Sequence, residues 1–502
     1  MVFTYTLFGD RGDGTYLQVD ESHAHLNMPA TFVFARGLDF RPVKVNFKVR
    51  EDLKWKVATQ LKPLGGTLYY APHLQYFMDS PTEISNFTLR EFEEESNGKK
   101  YTIRVALHHH GTEAAANDYF EGVKKIVKQE KAVMGGLPDY DFGTYTFLSC
   151  YVPQASGDGM EHRNSTYVVG SFPLEGEGIK WALSTVSHEL FHCWNVERIR
   201  PAALEPFNFE EANMSGELWF AEGFTNYYTD LILCRAGLIS PKEYAADLSG
   251  AINFVVNSPA RNFFNPVEMS YQAPFADAAT SIDPNNRGNT FISYYTYGQV
   301  MGLALDLSLR NLNATSSLDD FMKLVWSKHG KTESPYTVRD LQAALGEYAT
   351  PAFANDFFDK YIFKSELPDY AKLLESAGVS YTKAAPGKAY LGASFKKTDA
   401  GPIISSYTKI GTPAYKAGLE SGDLILSLDG KAVTDVESII STIDALTPGK
   451  EINISYKRNN SERSAKITPE ENPAMQTKLF EEAGLKLDVD KSKRRAAWLN
   501  AK

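Results

Sequence analysis

Two histidines four positions apart, with a glutamate directly after the first, form the segment best suited to chemistry. In STVSHELFHCWNVERIRP, residues 184–201, they are His188 and His192, and the glutamate is Glu189. Four residues make about one helical turn, so the two imidazoles would project from one face, one above the other. This arrangement suits a tetrahedral zinc ion, with Glu189 as a general base. Because such a string also arises by chance, a third ligand must support the metal.

A glutamate in a second apolar segment is the candidate third ligand. The segment GELWFAEGFTNYYTDLILCRAG, residues 216–237, is apolar almost all round, which is typical of a buried helix. Glu222 lies in its middle with no Lys or Arg within a turn, and a buried carboxylate needs a cation. We therefore expect one zinc ion per chain on His188, His192 and Glu222, with a fourth position open for water. The alternative is a salt bridge from Glu222 to a distant arginine.

Further residues around these segments have predicted supporting roles. Leu183, Val186, Leu190 and Trp194 recur at helical spacing, almost opposite the two histidines on the helical wheel. The first helix would then pack on the core with one face and present its histidines to a cleft with the other. One turn after the candidate third ligand, we expect Asn226 to accept the second ring N–H of a zinc histidine.

The chain divides by pattern into four segments of a multidomain α+β protein. β-branched and aromatic residues alternate near the N-terminus, helical periodicity dominates the middle, and short strands return after a Pro-Gly linker at 386–387. The last segment is charged, and we expect a loosely held helix or disorder there. The predicted segments are a β-rich N-terminal domain at 1–113, a mainly helical catalytic domain at 114–380, a third domain at 388–470 and a charged tail at 471–502.

The composition limits the class of protein. The 502 residues are 43% hydrophobic and 23% charged, and the formal net charge is −10. This balance is typical of a soluble globular protein and disfavours a nucleic-acid partner, which needs clustered Lys and Arg. Neither a membrane-spanning stretch nor a signal peptide is recognisable. We expect a cytoplasmic protein, or a periplasmic one if a leader has been removed.

The cysteines and a run of histidines suggest no further site at the sequence level. The three cysteines, Cys150, Cys193 and Cys234, are too widely spaced for a disulfide framework or a CxxC zinc site, and we interpret them as small buried hydrophobes. The run at 108–110 invites a metal interpretation, but neighbours in a strand face opposite sides. We expect these three to be surface histidines at the end of a strand.

The motifs also resemble a known family. HELFH, with a glutamate 30 residues past its second histidine followed by EGFTNYY, resembles the thermolysin-like (gluzincin) zinc aminopeptidases. With the flanking HCWNVERIRP and LWFAEGFTNYY, the chain most resembles the glycyl aminopeptidase family. This resemblance implies a β N-terminal domain, a thermolysin-like catalytic domain and a C-terminal PDZ domain. It also implies removal of the N-terminal residue of peptides, with Gly or Ala preferred.

The resemblance implies two more site residues. GDGMEHRNSTYVV is similar to a strand at the cleft edge on which a glutamate binds the free amine of the substrate, and by position this is Glu161. Asp158 interrupts the glycines of this motif. ISYYTYGQVMGLALDL is similar to a Tyr-x-Lys-Gly segment whose tyrosine stabilises the oxyanion, which matches Tyr295. Tyr297 stands where lysine is common, so Tyr294 and Tyr297 remain rival candidates.

A third resemblance concerns the domain after the linker. AGLESGDLILSLDG resembles the strand-turn-strand of bacterial PDZ domains, which bind extended C-terminal peptides by strand addition. The segment YLGASF, 390–395, would be the loop that receives the terminal carboxylate. Docking of a segment of the same chain in this groove is the alternative.

Two other functions compete with the aminopeptidase. An endopeptidase could use the PDZ domain to select unfolded substrates, in which case Glu161 would be dispensable. A PDZ adaptor with an inactive peptidase fold is the other, and the presence of Glu189 beside a complete ligand set argues against it. Peptides with free and acetylated N-termini would separate the aminopeptidase from the endopeptidase.

Overall fold

The computed structural model describes residues 2–277, 286–313 and 315–502. By its internal contacts the chain forms two compact units, neither of which is continuous in sequence. The first consists of Met1–Pro241, Thr315–Ala354 and Ala497–Lys502, and the second of Lys242–Ala314 and Asn355–Ala496.

Strands dominate the first part of the chain and helices the middle part, and strands return near the end. From the N-terminus the elements are β1 (Leu17–Val19), β2 (His23–Leu26), α1 (Met28–Thr31), β3 (Val43–Asn46), β4 (Lys56–Thr59), β5 (Lys62–Gly65), β6 (Leu68–Ala71), α2 (Leu74–Met78), β7 (Thr82–Ser85), β8 (Thr88–Ser96), β9 (Lys99–His109), α3 (Glu113–Met134), β10 (Thr144–Tyr151), β11 (Asp158–His162), β12 (Ser165–Gly170), α4 (Glu177–Phe191) and α5 (Leu218–Arg235). The helical part contains α6 (Pro241–Val256), α7 (Pro266–Tyr271), α8 (Arg287–Thr290), α9 (Tyr294–Leu312), α10 (Leu318–Val325), α11 (Val338–Tyr348), α12 (Pro351–Phe357) and α13 (Tyr370–Ser376). The remaining elements are β13 (Val379–Lys383), β14 (Ala389–Tyr390), β15 (Phe395–Thr398), β16 (Gly401–Ile404), α14 (Pro413–Lys416), β17 (Leu424–Leu428), β18 (Lys431–Ala432), α15 (Val436–Asp444), β19 (Ile452–Arg458), β20 (Ser461–Ile467), β21 (Glu470–Glu471), β22 (Met475–Leu479) and α16 (Val489–Leu499).

The first unit contains a five-stranded mixed sheet in the order β11-β12-β10-β9-β8. The central strand β10 runs parallel to both neighbours, whereas β11 and β8 lie antiparallel at the edges. A four-stranded sheet, β1-β2-β7-β4, and a three-stranded sheet, β3-β6-β5, make up the β-rich N-terminal region. Because β8 and β9 join β10 in one sheet, that sheet continues across the boundary predicted at residue 113.

Helices α4 and α5 pack against each other in this unit, and α3 packs against both. The predicted stripe on α4 is buried, with Leu183, Val186 and Leu190 in the core. Helix α5 is apolar on nearly all sides and buried along most of its length, as its sequence predicts. The Ser187 hydroxyl on α4 donates to the Thr229 carbonyl on α5 at 3.0 Å. This bond fixes the two helices relative to each other.

The second unit combines helices α6–α9 with the PDZ region. The PDZ sheet has the order β15-β16-β17-β19-β20, with β18 paired to β17, and α15 packs against it. Strand β22, after this sheet, pairs with β13 before it, so the chain leaves and returns at the same place. The predicted multidomain α+β class is confirmed, with a β-rich start, a helical middle and strands again near the end. Among the described residues, no helix combines the length and apolar character needed to cross a membrane.

The end of the charged tail is firmly packed, so the expectation of a loosely held or disordered tail is wrong there. The Trp498 ring is fully buried, and its Nε1 donates to the Tyr227 hydroxyl on α5 at 2.9 Å. The buried Arg235 donates to the Trp498 carbonyl at 3.0 and 2.8 Å. The sequence pattern hides this contact because α16 is mostly polar, and only Trp498 and Leu499 in it are buried.

We expect Trp498→Ala to lower the free energy of unfolding by about 3–5 kcal/mol, because it leaves a large cavity beside α5. Urea denaturation followed by circular dichroism measures this change. Trp181→Ala is the matched control, since Trp181 lies 58% exposed on α4 and its removal should change stability by less than about 0.5 kcal/mol. Equal midpoints of urea denaturation for the two variants would show that the C-terminal tail does not stabilise the first unit.

Candidate active site

The two histidines of the HELFH motif and Glu222 face one another in the first unit. His188 lies on α4, and His192 follows directly after the helix. Glu222 lies on the neighbouring α5, with Oε2 3.4 Å from Nε2 of His188 and 3.1 Å from Nε2 of His192. The structure therefore brings together the three side chains predicted as ligands, and their role as zinc ligands stays a prediction.

The hydrogen bonds of Nδ1 in His188 and His192 show which tautomer each ring adopts. His192 Nδ1 lies 2.6 Å from the Asn195 carbonyl, which can only accept a hydrogen bond. His188 Nδ1 lies 3.1 Å from Oγ1 of Thr229, whose own hydroxyl donates to the Thr225 carbonyl at 2.9 Å. Both Nδ1 atoms therefore carry the ring proton in this hydrogen-bond pattern. Both Nε2 atoms face Glu222, and in neutral rings they would be the nitrogens that offer a lone pair to a common metal ion.

Neither Asn195 nor Thr229 was predicted from the sequence as the hydrogen-bond partner of a zinc histidine, a role that the sequence assigned to Asn226. Thr229 follows Glu222 by seven residues, two helical turns, so the spacing offered a signal. Asn195 lies in the turn after α4, and nothing in its spacing indicated the contact. Its side chain also donates to the Phe220 carbonyl on α5 at 3.1 Å. Asn226 lies half-buried on α5, and its predicted hydrogen bond to a zinc histidine stays a prediction.

The chemistry of the donors fits a zinc ion. Burial alone would raise the pKa of Glu222, but the charge of His192 and hydrogen bonds from His188 and His192 outweigh burial and lower that pKa. Glu222 is therefore a carboxylate facing two imidazole nitrogens, and the ligand atoms of all three lie within 4.8 Å of one another. Two imidazoles and one carboxylate with space beside them are typical of catalytic zinc sites.

Glu189 points into the same space from α4. Its side chain is buried, and Oε2 has no hydrogen-bond partner among the described residues. Burial raises its pKa well above the usual range; the charge of His192 opposes this shift, and Glu161 and Glu222 add to it. A Cβ atom on Gly159 of β11 would lie only 2.0 Å from Oε1 of Glu189, so a larger residue there would displace the Glu189 side chain. A carboxylate with a raised pKa is suited to exchange protons near neutral pH.

Glu161 lies on the edge strand β11, on the other side of this space. Its carboxylate forms a second cluster with Glu189 and His192, in which the ligand atoms lie within 4.8 Å of one another. Burial raises the pKa of Glu161, an effect that His192 opposes. The strand is anchored just beyond it, because His162 Nδ1 lies 2.9 Å from Oδ1 of Asp79. The structure thus places Glu161 beside the predicted general base.

Arg198 connects the segments that hold these two carboxylates. It is 3% exposed, and its guanidinium donates to the carbonyls of Cys193, after α4, and Arg163, after β11, each at 2.9 Å. It also donates to Oδ1 of Asn164 at 2.9 Å. A planar donor with five N–H groups can satisfy several acceptors at once. No role for Arg198 was predicted from the sequence.

A cavity of about 630 Å³ opens beside Glu161 and Glu222 in the first unit. Its other charged lining residues include Glu197 and Arg200. The pKa of Glu197 is raised to about 7 by burial and by the charge of Asp79, against the effect of Arg200. The volume lies in the range of small-molecule and short-peptide sites.

The candidate tyrosines lie at the start of α9, in the second unit. Tyr295 is half-buried, whereas Tyr294 and Tyr297 are buried. Burial raises the pKa of Tyr297. The assignment of Tyr295 to the oxyanion, with Tyr294 and Tyr297 as rivals, stays a prediction.

The PDZ region has its own groove in the second unit. A cavity of about 240 Å³ is lined by the segment 389–395 and by Val436, Ile440 and Ile443 of α15. The segment YLGASF, predicted to receive a peptide carboxylate, therefore lines this groove. Its apolar wall on α15 is suited to a side chain of an extended peptide.

Comparison with solved structures shows the fold of nearly the whole chain. The crystal structure of an aminopeptidase N family protein from Idiomarina loihiensis matches with a TM-score of 0.80 and 23% identity, over 97% of this chain and 84% of that chain. At this level of identity the likeness shows the fold alone.

Two curated proteins match short segments. A probable periplasmic serine endoprotease DegP-like from Pseudomonas fulva is 36% identical over 75 residues, 15% of each chain. The zinc metalloprotease RasP from Geobacillus kaustophilus is 36% identical over 69 residues, which are 14% of this chain and 16% of that protein. The chain thus matches about a sixth of the length of these curated relatives.

Family models match three successive parts of the chain. Residues 1–86 match the peptidase M61 N-terminal domain, residues 181–301 match M61 glycyl aminopeptidase, and residues 389–468 match a PDZ domain. The second of these ranges includes the HELFH motif and Glu222, whose geometry is described above. Two of the three models describe the M61 glycyl aminopeptidase family, so the N-terminal segment and the segment that holds HELFH and Glu222 are both similar to that family.

Proposed function

We propose that the protein is a zinc-dependent aminopeptidase that hydrolyses the first peptide bond of peptides, with a preference for N-terminal Gly or Ala. The observation that supports this most directly is the position of Glu161. Its carboxylate lies within 4.8 Å of ligand atoms of Glu189 and His192. An ammonium group held there would be only a few ångströms from the reacting carbonyl. The preference for glycine rests on the description of the family.

His188, His192 and Glu222 would hold the zinc ion. When bound, zinc supplies Lewis acidity toward the scissile carbonyl and toward water. The Asn195 carbonyl and the Thr229 hydroxyl keep the two imidazoles in the tautomer that offers Nε2 to the ion. The protein thereby fixes the ligands before the metal binds.

Glu189 moves the proton in the proposed reaction. Its buried carboxylate takes a proton from the attacking water and later gives it to the leaving amine. A raised pKa makes the protonated form accessible at neutral pH, which the second transfer requires. Gly159 allows β11 to approach Glu189 closely, so substrate backbone lying along this edge strand would be held beside the proton carrier.

Glu161 selects the end of the peptide. A carboxylate pairs with the α-ammonium through charge-assisted hydrogen bonds, which a blocked amine cannot make. The substrate is then positioned from its N-terminus, and the first carbonyl is presented to Glu189. An internal peptide bond would leave Glu161 without its cation, which is costly for a largely desolvated carboxylate.

We expect the double variant His188→Ala, His192→Ala to lose one equivalent of zinc per chain, because it removes two of the three ligands. Elemental analysis of dialysed protein purified without added metal measures this loss. His329→Ala is the control, since His329 is not among the proposed ligands and its removal should leave the zinc content unchanged. Full zinc content in the double variant would rule out this site.

Glu189→Gln should retain the zinc at this site and the fold while hydrolysis falls at least about a hundredfold, because the amide cannot accept the proton. The measurement is kcat on an N-terminal glycyl substrate, with zinc content determined on the same sample. Glu177→Gln, on an exposed residue of the same helix, should retain full activity. Activity of Glu189→Gln above about a hundredth of the unmodified enzyme would contradict the general-base role.

For Glu161, we expect kcat/KM for a free N-terminus to exceed that for the acetylated peptide by on the order of a hundredfold. Glu161→Gln should reduce this ratio toward one. Glu197→Gln is the matched comparison, because Glu197 lines the same cavity and should not change the ratio. If Glu197→Gln, and not Glu161→Gln, removed the difference in kcat/KM between free and acetylated peptides, Glu197 would be the residue that binds the amine. Equal cleavage of both peptides by the unmodified enzyme, or internal cuts, would favour the endopeptidase.

A further inference from the structure

A second group of metal-binding side chains lies inside the first unit, made of residues that the proposed reaction does not use. It consists of His23 on β2, Glu83 on β7, His108 on β9 and Cys150 on β10, whose ligand atoms lie within 4.8 Å of one another. All four residues are buried. The expectation that His108 is a surface histidine is therefore wrong, because β9 continues to His109 and turns His108 toward the interior.

The distances between these atoms match those around one tetrahedral zinc ion. Zinc bond lengths of about 2.0–2.1 Å to nitrogen and oxygen and 2.3 Å to sulfur predict about 3.5 Å between N and S and about 3.3 Å between N and O. Cys150 Sγ lies 3.5 Å from Nδ1 of both His23 and His108. Oε1 of Glu83 lies 3.3 Å from Nδ1 of His23 and 3.7 Å from Nδ1 of His108.

The hydrogen bond on the far side of His23 leaves Nδ1 available as a ligand. Its Nε2 lies 2.9 Å from Oε1 of Gln18, an amide oxygen that can only accept. The amide nitrogen of Gln18 donates to the Gln154 carbonyl at 3.4 Å, which supports this orientation of the amide. Nε2 of His23 therefore carries the ring proton, and the Nδ1 lone pair faces Glu83 and Cys150. Outer hydrogen bonds of this kind orient metal-binding histidines.

Among the described residues, histidines are the ion-pair partners of the buried carboxylate of this group, and no Lys or Arg pairs with it. Glu83 is fully buried, its ion-pair partners are His23, His25 and His108, and its Oε2 has no hydrogen-bond partner within the described ranges. Such unpaired buried carboxylate atoms are rare because desolvating them costs free energy. One Zn²⁺ would balance the carboxylate of Glu83 and a thiolate of Cys150, with two neutral imidazoles completing the set.

We propose that His23, Glu83, His108 and Cys150 form a second zinc site, with a structural role. Four protein ligands close the coordination sphere and leave no position for substrate. Binding releases the thiol proton of Cys150 to solvent, so the site then holds two negative charges, one on Glu83 and one on Cys150, for the two positive charges of the ion. Strands β2 and β7 belong to the four-stranded sheet and β9 and β10 to the five-stranded sheet, so the ion would link the two sheets. The alternative is a hydrogen-bonded network without metal.

Cobalt distinguishes the two zinc sites, because the active-site ligands include no cysteine. The full-length chain produced with Co²⁺ as the only added transition metal should bind two equivalents and show a thiolate-to-cobalt charge-transfer band in the near ultraviolet. Cys150→Ser should abolish this band, and Cys193→Ser, a matched change at another buried cysteine, should retain it. A cobalt-loaded protein without the band, or a band lost in Cys193→Ser and retained in Cys150→Ser, would overturn the proposal.

The double variant His188→Ala, His192→Ala separates this proposal from the proposed function. We expect it to retain the charge-transfer band and one equivalent of cobalt while it loses hydrolysis. This measurement does not require Cys150→Ser to fold. Loss of the band in the double variant would place the thiolate ligand at the active site and contradict a second site. Retained hydrolysis together with an unchanged band would contradict the proposed function alone.

Discussion

The contact between α4 and α5 is the interaction on which the active site depends. It brings a carboxylate from the middle of an apolar helix against two imidazoles of its neighbour, and neither element could bury its polar groups alone. The Ser187 hydroxyl and the Thr229 side chain fix the spacing of the helices with hydrogen bonds across the contact. The apolar faces supply the free energy of packing, and the polar atoms between them supply the chemistry.

Three acidic side chains share this small buried space. Beyond the effect of burial, Glu222 raises the pKa of Glu161, and Glu161 and Glu222 raise the pKa of Glu189, whereas the two histidines lower the pKa of Glu222. Glutamates in one small space therefore have different pKa values and suit different roles. The lowered pKa of Glu222 suits the proposed metal ligand, whereas the raised pKa of Glu189 suits proton transfer. Carboxylates whose environments separate their pKa values in this way are typical of acid–base enzymes.

Much of the fold and the centre of the site could be predicted from the sequence, because the relevant signals are local. The spacing of His188 and His192 follows one helical period, and the apolar surroundings of Glu222 lie within a few residues of it. Contacts between distant segments could not be predicted in this way. Arg198 hydrogen-bonds to residues after two different elements. Cys150 meets His108 because β9 and β10 pair in one sheet, and it meets His23 only because a second sheet packs against that one. The buried position of Trp498 was not predicted for the same reason, since its hydrogen-bond partners lie more than 260 positions earlier in the chain.

The packing of Trp498 has a consequence for the order of events during synthesis. Its hydrogen bond to Tyr227 spans 271 positions, so the helix that carries Glu222 emerges from the ribosome long before the residue that covers it. The PDZ region lies between them in the sequence. A nascent chain therefore carries α5 with an unfilled apolar surface until that region has been translated. Contacts of such high sequence separation are typical of slowly folding topologies, and this one can form only after most of the polypeptide has been made.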